Sequence, residues 1–419
     1  MIVIYTPKVT NRIKYTLDFV FTQYFGIAYQ LIQHIETAFV PEHTYINYST
    51  TRMDGYLNIF QDTLLLEENI VEQKIFITKE NNLPVFFQTL NQYDIRFDIF
   101  SCIFYLISRY EEYLLHEQDE HGRYKSSNSI LAKPEFNFSP IVEEWLLFLK
   151  SELLKRNNLL SFKEYTFEYL PTFDVDLPFK YLGRNWKKHL PDITNIECWK
   201  TLLGKERDRF DIFPSIFDEL NKHQLAAVFF FLLNDDSKNN SKVSPHSAHY
   251  KNLITSISKQ YAIGWHPSYD VLKQNLFDEE QAIFKDITQA NPILSRQHFL
   301  RIKFPAYYTA LLATSVQTDY SLCYPEVIGF RAGCSRPFYF YNLEKNETTH
   351  LIIQPSCWMD ATYAYYRQNS FEDFSLDFSN LEKQLIKING KLVAIFHNDL
   401  LFLEKYWKYF IFINTRNNN

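Results

Sequence analysis

Glycine is scarce in this sequence: nine in 419 residues, about a third of an ordinary usage near 7%. No two of the nine form G-x-G-x-x-G and none opens G-x-x-x-x-G-K-[ST], so the two best-known backbone cradles for phosphate are missing and dinucleotide or P-loop chemistry is not expected. A basic excess is lacking too. Lys and Arg number 43 against 49 Asp and Glu, a net charge of −6, which provides no footprint for nucleic acid. The five cysteines (Cys102, Cys198, Cys323, Cys334 and Cys357) are odd in number and never spaced C-x-x-C, which argues against a disulfide framework or a zinc knuckle. Long apolar runs are absent: the longest, Leu225 to Leu233, has nine residues, and a membrane span needs about 20. Lys8, Arg12 and Lys14 interrupt any apolar core of an export signal. The expectation is a soluble, cytoplasmic chain with no membrane span and no nucleic-acid partner.

What is present is material for packed cores. Apolar residues make up 46% of the chain, with 38 Phe and 29 Tyr, so disorder is excluded as the main state. The length suits two domains better than one. A short strand at Ile2 to Tyr5 opens the chain, and Asp98 to Leu115 places Ile99, Ile103, Phe104, Ile107 and Tyr110 on one helical face. Its end, Arg109 to Tyr113 (RYEEY), reads as a charged turn closing a packed helix. Ser139 as N-cap and Pro140 at the first helical position predict the start of a helix through Trp145, Leu149 and Leu153. From about Glu168 short apolar strands alternate with helical stretches such as Ile212 to His223, the pattern of β-α units. We therefore predict an N-terminal α/β domain over 1–165, an α/β domain over 166–412 and a polar tail over 413–419, with a polar loop at Asn234 to Ser247.

In the second part five apolar stretches end in a reactive group. They lead to Asp174 and Asp176, to His266, to Arg331, to Asp360 and to His397. In an α/β barrel the C-terminal strand ends share one mouth, so this recurrence is what a barrel active site would leave in a sequence. Asp174 and Asp176 are two apart on an extended strand and point to one side. A cation beside them would relieve their repulsion, with the second carboxylate free as a base; a helix-capping Asp is the alternative. Three of the nine glycines, Gly264, Gly329 and Gly333, lie within two residues of His266 or Arg331, where a strand end needs positive φ or close approach to a ligand.

In this order the residues resemble the NodB-type polysaccharide deacetylases, carbohydrate esterase family 4, over roughly 166–412. Thr172-Phe173-Asp174-Val175-Asp176 is similar to the family's TFDDG motif, Ala226 to Leu233 to its ATFF strand, Gly264-Trp265-His266-Pro267-Ser268 to its second motif, Phe330-Arg331-Ala332 to FRxPY, and Phe396-His397-Asn398 to its final motif. The resemblance implies an α/β fold, a distorted (β/α) barrel. It implies Asp174 as general base, Arg331 as the partner holding that base, Asp360 as the acid orienting His397, and His397 as general acid. It implies Asp176 and His266 as metal ligands. Where the family has a second His four residues on, this chain has Asp270. His298, in Ser295-Arg296-Gln297-His298-Phe299-Leu300-Arg301, is the favoured third ligand and Asp270 its competitor; His246 and His249 read as a surface pair. Arg331 is followed by Ala332-Gly333-Cys334 rather than Pro-Tyr. The N-terminal part resembles an uncharacterised domain found ahead of such barrels, which implies no activity.

The implied function is metal-dependent hydrolysis of a non-peptide carbon–nitrogen bond, removing acetyl from an N-acetylated sugar or polysaccharide. An Asp/His donor set without thiolate suits Zn²⁺, with Ni²⁺ or Co²⁺ as alternatives. Trp265, Tyr269 and Trp358 read as packing, with stacking on a sugar as the other reading. The rival function is a catalytically impaired barrel that binds a glycan or a protein, motivated by the missing second His and the altered Arg331 motif.

Overall fold

The computed structural model describes the chain except residues 36–39, 41, 186–187, 189–191, 193, 273–275, 368–369 and 417–419. The first part holds strands β1 (Ile2–Tyr5), β2 (Tyr29–Ile32), β3 (Thr44–Ser49) and β4 (Leu57–Phe60), helix α1 (Asn11–Leu17), a hairpin of β5 (Thr78–Glu80) and β6 (Leu83–Val85), and helices α2 (Ile99–Ile107) and α3 (Ile141–Arg156). Strands β1 to β4 form an all-parallel sheet in the order β2-β1-β3-β4. Every residue of α2 is buried and Asp98 caps it through the Ser101 N–H, so this helix is a core element rather than a surface one. It stops at Ser108 because Arg109 adopts a left-handed backbone, φ 55°. Pro140, not Ser139, takes the N-cap position of α3.

The second part carries β7 (Glu168–Val175), α4 (Ile196–Leu202), α5 (Phe213–Lys222), β8 (Val228–Leu232), α6 (Ala248–Ser258), β9 (Ala262–His266), α7 (Leu276–Thr288), β10 (Leu294–Ser295), α8 (Ala306–Leu311) and β11 (Thr318–Asp319). It continues through β12 (Phe338–Asn342), β13 (Glu347–Ile353), β14 (Trp358–Met359), α9 (Phe371–Lys387), β15 (Lys391–His397), α10 (Asn398–Leu401) and α11 (Glu404–Arg416). Nine strands pair in the order β12-β13-β11-β10-β9-β8-β7-β15-β14, all parallel except β12.

Chain length requires this sheet to curl. Strands β13 and β14 would lie about 34 Å apart in a flat sheet, yet residues 354–357 alone join them, a reach of about 17 Å. The joining segment bonds to both sides of the gap: the Ser356 N–H donates to Leu322 O at 3.1 Å and the Cys357 N–H to Val393 O at 3.1 Å. The sheet is curled, but the predicted barrel is not closed: its ladder ends at β12 and β14 instead of forming a continuous ring. Inside the curl, Leu170, Val228, Phe230, Leu294, Tyr320 and Val393 make a small apolar cluster. Gly264 belongs to this interior: a Cβ there would meet the Phe230 ring at 2.6 Å. Gly329, at φ +115°, would drive a Cβ to 2.5 Å from Phe138 O. These glycines admit a neighbouring ring and a neighbouring backbone, so the expected approach to a ligand is not their role.

The main apolar core runs without a break from the first part into the second. Buried ions bind the two as well. Glu143 of α3 accepts from the Ser335 N–H at 2.6 Å, the Ser335 hydroxyl at 2.7 Å and the Arg336 N–H at 3.0 Å. Glu112 accepts from Arg109 Nε at 2.8 Å and from Arg331 Nε at 2.8 Å. The RYEEY turn closes the packed helix as expected, and its charges form a buried cluster. Residues 413–416, expected to begin a polar tail, complete α11, with Ile413 and Asn414 fully buried. Removing the shared acid by Glu112→Ala leaves two guanidinium groups buried without it, and should lower unfolding free energy by about 3–5 kcal/mol. A denaturant midpoint unchanged from wild type would contradict that placement.

Candidate active site

Parallel strands bring their C-terminal ends to one rim. In register, His397 lies beside Asp174, and His266 beside Leu232 of β8. Because side chains alternate, Leu170, Thr172 and Asp174 share the inner face of β7. Asp174 lies above the interior apolar cluster and Asp176 is one step further out.

Asp176, His266 and His298 converge most closely. His266 Nε2 stands 3.1 Å from Asp176 Oδ1, His298 Nδ1 stands 3.3 Å from the same oxygen, and the two ring nitrogens are 3.2 Å apart. The far nitrogens fix the tautomers, since a backbone carbonyl only accepts. His266 Nδ1 donates to Arg296 O, and His298 Nε2 donates to Asn239 O at 2.8 Å. Both facing nitrogens then present lone pairs, and Asp176 Oδ1 is buried without a hydrogen bond. Three electron-rich atoms pointed at one spot repel unless a cation lies among them. Their spacing suits one: tetrahedral bonds of about 2.0–2.1 Å put ligand atoms about 3.3–3.4 Å apart. Carbonyl partners on the outer nitrogens are also the usual orienting groups of metal-bound histidines. The residues present therefore fit a divalent ion of the zinc type.

Asp270 is not part of this cluster; it lies 4.0 Å from Arg301 Nη1. His246 and His249 are exposed on the surface.

The arginine expected beside Asp174 is a different one. Arg331 Nε donates to Glu112 Oε1 at 2.8 Å and Nη1 to Cys323 O at 3.3 Å, so it belongs to the buried cluster that joins the two parts. Burial alone would raise the Glu112 carboxyl, but Arg331 and Arg109 hold it below its usual range. Arg296 takes the place foreseen for Arg331. Its Nη1 donates to Asp174 Oδ1 at 2.8 Å, its Nε to Tyr320 O at 3.3 Å and its Nη2 to the Ser356 hydroxyl at 3.3 Å. The only sequence signal for it is its position two residues before His298.

Across the rim, Asp360 is fully buried and grips His397 twice, accepting from its backbone N–H at 2.8 Å and from Nδ1 at 2.7 Å. Nε2 faces the acids, 4.0 Å from both Asp174 Oδ2 and Asp176 Oδ2. Burial alone would lower the His397 pKa, but the Asp360 charge and hydrogen bond, with Asp176 and Asp174 behind them, push it up to about 10. The ring is a cation at neutral pH, with a proton on Nε2. Asp399, two residues on and given no role in the sequence reading, is pushed up to about 7 by burial.

These groups line a cavity of about 420 Å³ that holds Asp174, Asp176, His298, His397 and Asp399 on one side and Glu120, His121 and Arg123 of the first part on the other. Trp265 and Trp358 are fully buried; the Trp265 indole N–H donates to Glu280 at 3.0 Å. They pack, as expected. Tyr269 caps Arg301, whose guanidinium lies 4.5 Å from its ring.

Residues 2–158 match the profile of DUF7033, a family of unknown function. No curated protein sequence matches the chain. Similar solved structures include a protein from Mycobacterium smegmatis assigned as a polysaccharide deacetylase, 14% identical, covering 62% of this chain and 86% of that one at a TM-score of 0.40. Another is Puue allantoinase, 11% identical, covering 60% and 85% at 0.39. A third is a mutant of BA3943, a CE4 family pseudoenzyme with restored activity, 11% identical, covering 57% and 68% at 0.24. Likeness at these scores does not establish an activity for this chain. Among the described residues no helix is long and apolar enough to cross a membrane.

The geometry separates the two candidates for the third ligand. His298→Ala should abolish zinc retention through gel filtration while Asp270→Ala keeps about one equivalent, as read by elemental analysis. The reverse result would move the site to Asp270.

Proposed function

We propose that this protein is a metal-dependent deacylase that removes acetyl from an N-acetylated sugar. The observation that carries it is the meeting, in one cavity, of a three-atom donor set (Asp176, His266, His298), a carboxylate held by one oxygen (Asp174) and a histidine held cationic by a buried acid (His397 on Asp360).

When bound, a Zn²⁺, Ni²⁺ or Co²⁺ ion supplies Lewis-acid polarisation of the acyl carbonyl and makes a water more acidic. The rest of the work falls to side chains. Asp174 is committed to Arg296 through Oδ1, so Oδ2 is the free oxygen that takes the proton of the attacking water. Water oxygen bonds to the acyl carbon, and the carbon–nitrogen bond then breaks. The leaving amine needs a proton, and His397 Nε2 carries one toward the same space. Asp360 fixes its Nδ1–H and therefore the direction of Nε2, the division of roles seen whenever a buried acid orients a catalytic imidazole. Acid and base stand about one hydrogen-bonded group apart, at 4.0 Å, so both reach one scissile bond.

The reading as an impaired binding module starts from two missing groups. His298, 3.2 Å from His266, and Arg296, donating to Asp174, stand where those groups are needed, which supports catalysis over binding alone. An N-acyl sugar remains the proposed substrate from the family resemblance.

Acetate release from a panel of N-acetyl sugars and N-acetyl peptides by the zinc-loaded chain tests this. Asp176→Ala should lose both metal and activity, whereas His397→Ala should keep its metal and lose about 10²–10⁴-fold in kcat. Full metal content in the Asp176 variant would sink the donor assignment, and acetate from peptides alone would replace the sugar.

A further inference from the structure

The first part of the chain has no task in the mechanism above, yet it walls the cavity. Its turn Asp119 to Arg123 is internally braced: Asp119 Oδ1 accepts from the N–H groups of His121 and Arg123, both at 2.9 Å, and Oδ2 accepts from Arg123 Nε at 2.7 Å. A short polar side chain holding the next backbone donors is how such turns are stiffened. The turn is then fastened to the chemistry. Arg123, 4% exposed, donates from Nη1 to Phe299 O at 2.9 Å and from Nη2 to the Tyr366 hydroxyl at 2.8 Å. Arg301 Nε donates back to His121 O at 2.7 Å, and His121 Nδ1 lies 3.0 Å from the Tyr269 hydroxyl.

The two anchors flank the reacting groups. Phe299 follows His298 directly, and Tyr366 closes the π-helical turn Thr362–Tyr366 just after Asp360. Phe299, Arg123 and Tyr366 all line the cavity, so the bonds through Arg123 make its edge continuous on that side. Arg123 is consumed by these contacts and by Asp119. Glu120 and His121 are held more loosely: His121 Nε2 lies 3.7 Å from Glu120 Oε1, both residues line the cavity, and the Glu120 side chain is 87% exposed. A carboxylate and an imidazole at a cavity wall are acceptors and donors suited to sugar hydroxyls.

We infer that the first part is the recognition half of this site, and that its Asp119–Arg123 turn restricts the substrate to one N-acylated sugar residue, free or at the end of a chain. The inference rests on the deacylase reading above. An internal residue of a polymer would need an open path on both sides, and the Phe299–Arg123–Tyr366 edge closes one.

Calorimetric titration of the zinc-loaded full chain with N-acetylglucosamine and with its linear hexamer tests this, in wild type and in a Glu120→Ala/His121→Ala variant. Both sugars should bind wild type within about threefold of each other, and the variant should bind both at least tenfold more weakly, the loss expected for two hydrogen bonds, with zinc content unchanged. Should the double variant not fold, Glu120→Ala alone, at a solvent-facing side chain, gives the same readout. A hexamer bound more than tenfold tighter than the monomer, or loss of acetyl from internal residues by mass spectrometry, would overturn the single-residue cavity. Unchanged affinity in the variant would overturn the role of the turn. Failure of both sugars to bind wild type would instead remove the sugar reading, and this inference with it.

Discussion

A guanidinium sealed from solvent has to find partners on every side, and Arg296 finds three acceptors and one aromatic ring on four separate stretches of the curled sheet. It is fully buried, bonded to Asp174 at the end of β7, to Tyr320 after β11 and to Ser356 before β14, with its plane 4.5 Å from the Phe230 ring of β8. An uncompensated ion in such a place costs several kcal/mol. The curl therefore closes to a width that one arginine spans, and the apolar cluster under it seals the lower face. The same contact bears on the proposed chemistry above: Arg296 holds Oδ1 of Asp174, so under that proposal one bond would serve both packing and the orientation of the base.

The layer above obeys a second electrostatic constraint. His266 and His298 are each locked by a backbone carbonyl at the outer nitrogen, which leaves two inner lone pairs 3.2 Å apart beside a buried carboxylate oxygen. In the neutral tautomers these carbonyls select, none of the three atoms has a proton to give the others, and a cation would settle all three at once. His397 is arranged in the opposite sense: Asp360 stabilises its charge, so it faces the acids as a donor. Donor and acceptor functions are separated by less than the width of a water pair, with the polarity of each set by a buried partner behind it.

Much of this was legible in the sequence, and the reasons for the rest are physical. Asp174 and Asp176 share a side because strands alternate, and His266 and His397 end apolar runs, so convergence of these four followed from parallel strands alone. Strands β10 and β11 are two residues each, too short for any periodicity, so the turn carrying Arg296 and His298 could be reached only through a resemblance. Arg331 misled because motif order was followed where charge partners decide: Glu112 lies 219 residues away in sequence, and nothing local to Phe330-Arg331 reveals it. The RYEEY turn was passed over for the same reason. Its acids look like a solvated helix end until the arginine that buries them is located.

The glycines show how the two parts of the chain depend on each other. Positions near His266 and Arg331 suggested positive φ or backbone making room for a ligand. Gly329 and Gly333 do have positive φ, but Gly264 makes room for the Phe230 ring and Gly329 for the backbone of Phe138 in the first part. Room is therefore reserved at residue 329 for a segment that lies almost two hundred residues earlier in the sequence, ahead of the curled sheet. Glu112 and Glu143 make the same connection with charge, and Arg123 makes it with hydrogen bonds at the rim of the cavity. A break in composition near residue 165 marks where the strand pattern changes. Three kinds of contact cross it, and the uppermost shapes the space in which a substrate would lie, so the curled sheet without the preceding residues would expose a cavity of different walls.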